Sequence, residues 1–309
     1  MPGPYGRWSG CRTKDLGALT GAVWAAFSGL GFGVFQTLNR RTVLTLDVYV
    51  STFVQLLLAG VVLLAACAAT GDLRGLGTAS AAGIAWFAAA GVIHFFGGWT
   101  FLSLSQQRIG AARTSPLVST APVFGVAVAA ATLHERPSLA SLVGIVVVLA
   151  GVYVIALERV HGTERPPVRE AALGLCTALC WSISPVFIKH GLHGLPSPLL
   201  GVTVGMVCAL AVYAVAIPAS GKSFRLPRDD FRPVGQLLAG IFVGLSVWSR
   251  WYALKTASIG VVLALGLLSV PVVVALSPLV LGRVLERITP RVLAGSTLVV
   301  GGALLLVVQ

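Results

Sequence analysis

Ile109–Leu157 reads IGAARTSPLVSTAPVFGVAVAAATLHERPSLASLVGIVVVLAGVYVIAL, two apolar runs joined by the short polar turn His134–Ser138. The same design returns at Ile259–Val308, where Leu285–Pro290 forms the turn. Matching residues of the two stretches lie 150 or 151 positions apart: Ile109 and Ile259, Glu135 and Glu286, Arg136 and Arg287, Gly144 and Gly295, Gly151 and Gly302. The chain therefore contains an internal duplication.

The composition of the chain is that of a membrane protein with many spans. Of its 309 residues, 56% are hydrophobic and only 10% are charged, and the mean hydropathy is +0.91. Uncharged runs of about 20 residues recur, which is the length that an α-helix needs to cross a ~30 Å hydrocarbon core. The sequence predicts ten transmembrane helices, at residues 16–38, 46–70, 80–104, 109–132, 139–157, 171–190, 197–218, 234–256, 258–281 and 291–309.

The first helices of the two halves also match each other. Leu16 and Trp24 correspond to Leu173 and Trp181 at a spacing of 157 residues. The duplication thus gives two repeats of five helices, residues 16–157 and 171–308. Because five is odd, the second repeat enters the membrane from the opposite side. The predicted fold class is an all-α membrane protein of ten transmembrane helices arranged as two inverted five-helix repeats, which is typical of secondary transporters.

The net charge of +12 does not indicate nucleic-acid binding. The 22 Lys and Arg residues stand singly or in pairs between apolar runs, without the basic stripe of nucleic-acid-binding proteins. Such charges flank membrane spans and set their orientation. Fourteen of them follow odd-numbered spans and eight lie on the other side, a bias that places both termini outside the cell.

Prolines mark candidate interruptions of the spans. Span four contains Pro116 and Pro122, span six contains Pro185, and span nine contains Pro271. A proline removes a backbone donor and leaves a carbonyl free. Interrupted helices at corresponding positions of two repeats point to a transport site, although prolines in membrane helices can also simply shape the packing.

Two ionisable residues are predicted to lie deep within spans. All ten acidic residues lie in termini, loops or span edges, which argues against a proton-driven exporter of lipophilic cations. His94 is near the middle of span three and could carry a coupling proton, since histidine titrates close to physiological pH, or it could be a neutral packing residue. Arg250 in span eight could bind an anionic or carboxylate-bearing substrate, or its side chain could reach the membrane interface.

Aromatic residues cluster on the same spans. They are Trp24, Trp99, Trp181, Trp248 and Tyr252. Aromatic rings can line a cavity for a flat or amphipathic solute, but Trp and Tyr also concentrate at membrane interfaces. Trp24 and Trp181 occupy equivalent positions well inside their spans, so an interfacial role explains them poorly.

The sequence carries no catalytic, metal or cofactor motif. It lacks H-E-x-x-H, G-x-S-x-G and a Walker A sequence. Cys176 and Cys180 are one helical turn apart without a neighbouring His or carboxylate, so we expect no metal site and no cofactor. A membrane-embedded enzyme or lipid-handling protein is the alternative to a transporter, and it would need a buried nucleophile or acid–base pair.

Segments Ser105–Leu157 and Lys255–Val308 resemble the EamA-type proteins of the drug/metabolite transporter superfamily. In both, a short connection leads to an apolar helix with prolines, a Glu-bearing turn and a Gly-rich helix, and Trp251-Tyr252-Ala253-Leu254 precedes the second connection. The resemblance implies a ten-helix carrier in the cytoplasmic (inner) cell membrane, with both termini cytoplasmic, against the charge bias. It also implies a central cavity lined by spans one, three, four, six, eight and nine, which carry the charged and aromatic candidates.

We therefore expect a transporter without ATP hydrolysis that moves small organic metabolites, such as amino acids, by alternating access. Its partners would be a small-molecule substrate, membrane lipid and protons as a coupling ion. We expect a monomer or homodimer.

Overall fold

The computed structural model describes residues 8–133, 139–156, 168–224, 233–282 and 288–305, and all regular secondary structure in these ranges is helical. The predicted turn His134–Ser138 and the first half of Leu285–Pro290 lie outside the described residues. A 3₁₀ turn spans Asp72–Gly77, and a π-helical turn, Val92–Gly98, joins α3 to α4. The α-helices are α1 Trp8–Thr42, α2 Val48–Thr70, α3 Ala81–Gly91, α4 Trp99–Ile109, α5 Ala111–Val118, α6 Ala121–Leu133, α7 Leu139–Ala156, α8 Val168–Gly194, α9 Pro198–Ala219, α10 Pro233–Thr256, α11 Ile259–Gly266, α12 Ser269–Leu281 and α13 Pro290–Leu305.

Seven helical segments of the described chain are long and apolar enough to cross a membrane: Leu19–Thr42, Val48–Thr70, Ala81–Ile109, Glu170–Gly194, Pro198–Ala219, Pro233–Thr256 and Ile259–Leu281. Two further apolar helices, Leu142–Ile155 and Pro290–Leu305, are shorter. The remaining predicted span, 109–132, is divided between α5 and α6. The chain is a multi-pass helical membrane protein, and seven of its ten predicted spans meet the length and composition of a full crossing.

Short polar residues begin the helices. The Asp47 carboxylate accepts from the amides of Tyr49 and Val50 at the start of α2, at 2.9 and 3.4 Å. The hydroxyls of Ser80, Ser197 and Ser258 cap α3, α9 and α11 in the same way. Each cap satisfies an amide that has no partner within its helix, so these residues fix where the helices begin.

The two halves of the chain pack against each other in matching pairs. Helix α1 lies against α10, α11 and α12, and its counterpart α8 lies against α3, α4, α5 and α6. Helices α2 and α9 contact each other, as do α7 and α13. Each first helix therefore lies against the third and fourth segments of the other half, which is the pattern expected of two copies related by a twofold axis.

Glycines bring several of these helices into backbone contact. A Cβ added at Gly91 would lie 2.2 Å from the carbonyl oxygen of Gly205, where α3 meets α9. A Cβ added at Gly151 would lie 2.7 Å from the carbonyl oxygen of Gly295, where α7 meets α13. Small residues are the usual means of close approach between membrane helices, so these contacts hold the two halves together.

Replacing Gly91 with Ala tests the contact between α3 and α9. The added methyl group would overlap the Gly205 backbone and force the helices apart, so we expect a loss of about 1–3 kcal/mol in stability. The measurement is thermal unfolding of the purified protein in detergent. Gly301→Ala is the control, because a Cβ at Gly301 meets nothing within 4 Å; equal unfolding temperatures for the two variants would contradict the prediction.

Candidate functional site

Two helix interruptions lie at corresponding positions of the two halves. Residues 119–120 separate α5 from α6, and residues 267–268 separate α11 from α12. Pro122 and Pro271 follow them, and because proline has no amide hydrogen they leave the carbonyls of Val118 and Leu267 without the usual i+4 donor. Tighter backbone turns take over, such as Thr120 N to Leu117 O at 3.2 Å.

The prediction of a helix interruption is wrong at Pro116 and Pro185. Helix α5 continues through Pro116, and α8 continues through Pro185 from Val168 to Gly194. One proline removes one helical hydrogen bond, and close packing against neighbouring helices can keep the rest of the helix intact. Both helices are packed in this way, since α8 contacts α3, α4, α5 and α6.

A small cavity lies between the two interruptions. Its volume is about 30 Å³, which leaves room for about two water-sized groups. Both interruptions contribute to its wall, and three helices complete it: α1, α8 and α10. The cavity lining includes Phe32, Ser119, Ala121, Trp181, Arg250, Gly266 and Ser269.

The Arg250 guanidinium reaches into this cavity. It lies against the second interruption, where a Cβ added at Gly266 would be 2.9 Å from Nη2. Arg250 is six residues, or about 9 Å, from the end of α10, and its contact at Gly266 is in the middle of the segment Ile259–Leu281 rather than at its end. The side chain therefore points to the protein interior and not to the membrane interface.

Arg250 has no hydrogen-bond or ion-pair partner among the described residues. The carboxylates whose contacts the structure gives are engaged at helix ends. Asp47 pairs with Lys222 at 2.5 Å, and Glu170 pairs with Arg108 at 3.0 Å. Asp72 accepts from Thr70 at 2.6 Å. In the described part of the chain, Arg250 is thus a partly buried cation without a counter-ion.

His94 lies directly behind the cavity wall. Its ring stacks on Trp181, with centroids 5.3 Å apart, and its Nδ1 is 2.8 Å from the Ser184 hydroxyl. His94 is close enough to Arg250 for the two groups to interact electrostatically. Both Ser184 and His94 are buried, so a substrate carbonyl does not reach this Ser–His pair in the observed conformation.

The π-helical turn holds His94 in place, and it interrupts the span that the sequence predicts as regular over 80–104. Neighbouring helices donate to its carbonyls. Trp181 Nε1 donates to the His94 carbonyl at 3.1 Å, and Tyr213 donates to those of Phe95 and Phe96 at 3.3 Å. Thr177 adds a bond to the Gly98 carbonyl at 3.3 Å. A π turn frees carbonyls in this way and is frequent at functional sites.

The remaining aromatic candidates form two groups away from the cavity. Trp99 is completely buried and packs on Phe35 and Phe95. Trp24 contacts Trp248 at 5.3 Å and Tyr252 at 5.2 Å, where α1 meets α10. Of the seven predicted substrate-binding residues, the cavity brings together Trp181 and Arg250, with His94 stacked behind them.

Sequence reasoning missed several lining residues. Phe32 packs edge-on against Trp181 at 5.1 Å. A signal existed in α1, where Gly29, Gly31 and Gly33 stand on either side of Phe32; a Cβ at Gly29 would lie 2.4 Å from the Leu265 carbonyl oxygen. Glycines at such spacing predict close approach of another helix. Ser269 and Gly266 lie in the long apolar segment Ile259–Leu281, where no sequence pattern marks them as lining residues.

A buried polar network occupies the C-terminal part of α1. Asn39 donates to Gln106 at 2.7 Å and to Ser103 at 3.1 Å. Arg40 donates to the backbone carbonyls of Gln106 and Gln107. This network joins α1 to α4 and was not predicted, because its members are scattered along the sequence.

Comparison with known proteins gives a consistent result. The sequence model of the EamA-like transporter family matches residues 19–157 and again residues 169–308. An uncharacterized transporter of Archaeoglobus fulgidus is 26% identical over 213 residues, which cover 67% of this chain and 71% of that protein. A solved crystal structure superimposes with a TM-score of 0.64 and 22% identity, covering 91% of this chain and 94% of its own. Because the family model covers both halves, this chain belongs to the EamA-like transporter family.

Proposed function

We propose that this protein is a secondary transporter that moves small organic metabolites, such as amino acids, across the cytoplasmic membrane by alternating access. The observation that carries the proposal is the position of the two helix interruptions. They occupy corresponding places in the two halves and line one cavity. Interrupted helices at the interface of two repeats are how secondary transporters build their substrate sites.

The proposed topology is ten transmembrane segments in two inverted repeats of five. The matched packing of α1 and α8 on the other half supports a twofold relation, and the double family match supports a repeat. Two segments, α7 and α13, pair with each other and are short; each would cross as part of that pair. An odd number of segments in each repeat requires the inversion.

In the observed conformation the cavity, at about 30 Å³, is too small for a whole metabolite. Transport then requires the two halves to move apart at Trp181, Phe32 and the interruptions. The sequence has no nucleotide-binding motif, so we propose that an ion gradient drives transport, with protons as the coupling ion.

Trp181→Phe tests the site against Trp24→Phe, its counterpart in the other half. We expect Trp181→Phe to lower the apparent affinity for a transported metabolite by about tenfold, because Trp181 lines the cavity and donates to His94. Trp24→Phe should leave affinity near the wild-type value. The measurement is concentration-dependent uptake of labelled amino acids into proteoliposomes. Equal effects of both substitutions would place the site elsewhere.

Single cysteines at Ser9, Gly162 and Ser220 test the topology, in a chain lacking its five native cysteines. Five crossings in the first repeat place Ser9 on one side and the other two on the opposite side. We expect a membrane-impermeant maleimide to label Ser9 only from the cytoplasm, which is the family orientation. Labelling of Ser9 and Gly162 from the same side would contradict five crossings and the inversion.

His94→Gln tests proton coupling. Glutamine keeps hydrogen-bonding capacity but does not titrate, so we expect uptake to lose its dependence on pH in the range below about pH 6.5. Ser184→Ala is the matched control, because it removes the partner of Nδ1 and leaves the imidazole able to titrate. The measurement is uptake into proteoliposomes over that pH range. A wild-type pH profile in His94→Gln would show that the coupling proton binds elsewhere.

A further inference from the structure

The cavity between the helix interruptions has the properties of an anion site. A lone cation inside a membrane protein is costly, and such residues normally face a pathway or a partner. Arg250 faces this cavity and has no partner among the described residues. Some other negative group is therefore expected to balance it during the working cycle.

The first turns of α6 and α12 face the same cavity. Ala121 begins α6 and Ser269 begins α12, and both line the cavity wall. Each helix has 13 residues, and a helix N-terminus carries a partial positive charge and free amide groups. The two halves thus direct two positive helix ends at the space that Arg250 enters.

Donors at these helix ends have no partner in the described structure. Each interruption is followed by amide-to-carbonyl turns, such as Val123 N to Thr120 O and Val270 N to Leu267 O. Among the described residues, the amides of Ala121 and Ser269 donate to no acceptor, and the Ser269 hydroxyl has no hydrogen-bond partner. Polar groups inside a protein normally have a hydrogen-bond partner from the protein, water or a ligand. These donors surround a space that holds about two water-sized groups, the size of a carboxylate.

We propose that Arg250 and the N-termini of α6 and α12 form the receptor for the carboxylate group of the substrate. The inference rests on the proposed transport function and specifies its substrate class as small organic acids, including amino acids. Arg presents a planar pair of donors that matches the two carboxylate oxygens. Phe32 and Trp181 supply an apolar wall for the rest of the substrate.

The test compares acids with their amides, which have the same shape without the negative charge. The probes are 4-methylpentanoate with 4-methylpentanamide, and L-leucine with L-leucinamide. Binding is measured by thermal stabilisation of the purified chain in detergent. We expect the acid of each pair to stabilise the protein in a concentration-dependent way and the amide to have no effect at the same concentration.

Variants assign this discrimination to the site. We expect Arg250→Gln to weaken acid binding by about 30-fold or more, and Arg250→Lys by about tenfold, because lysine keeps the charge without the paired donors. Arg108→Gln is the matched control: it removes the same charge from an exposed ion pair at the end of α4, so acid binding should be unchanged.

Gly266→Ala keeps the test valid if Arg250→Gln does not fold. Its methyl group would lie 2.9 Å from Arg250 Nη2 and fill the space of the carboxylate. We expect it to abolish acid binding while Arg250 is retained. The inference is overturned if amides bind as well as acids, or if folded Arg250→Gln and Gly266→Ala still prefer acids.

Uptake by the same protein separates this inference from the transport function. If the protein takes up uncharged metabolites into proteoliposomes but binds no acid at any concentration, the proposed transport function is supported. The proposed carboxylate site is then overturned. Acid binding that depends on Arg250, without uptake of any labelled compound, would support the receptor and contradict transport.

Discussion

Inside a membrane every backbone polar group must find a partner within the protein, because lipid tails offer none. Most of this chain meets the constraint with uninterrupted helices. The helices are interrupted at residues 119–120 and 267–268, and the backbone polar groups freed there lie in the interior around Arg250. The packing of the rest follows from protecting this region. The first helices α1 and α8 cover the interruptions of the opposite half, and glycines allow their close approach.

The two sides of the cavity differ in their chemistry. Toward the C-terminal end of α1, a network of amide and hydroxyl side chains joins α1, α2, α4 and α10, and it includes the bond from Gln236 to Ser51 at 3.3 Å. Toward the end of α10, Lys189 donates to the Ala257 carbonyl and Lys255 to that of Pro196. On the proposed mechanism, opening on the first side would exchange many buried hydrogen bonds for water, and opening on the second would exchange few.

The helices and the duplication could be predicted because both depend on local sequence. Apolar runs of the right length define the spans, and Glu135 with Glu286 or Gly151 with Gly302 reveal the repeat. The direction of Arg250 could not be predicted, because it depends on how α10 is rotated against α11. Proline was an incomplete guide. Helix α8 is continuous through Pro185, whereas an interruption lies just before Pro122. The outcome depends on which neighbouring helices stabilise the rest of the helix.

The π-helical turn at Val92–Gly98 has no counterpart in the described helix α10, which is continuous from Pro233 to Thr256. A wider turn rotates everything that follows it on the helix, so Ser103 and Gln106 face the polar network on α1 instead of another surface. If the two repeats are inverted as proposed, identical halves would make the inward-facing and outward-facing states equal in energy. A turn present in one half alone removes that equality. On the proposed mechanism, an empty carrier would therefore rest mainly on one side of the membrane, and its two directions of transport would differ in rate.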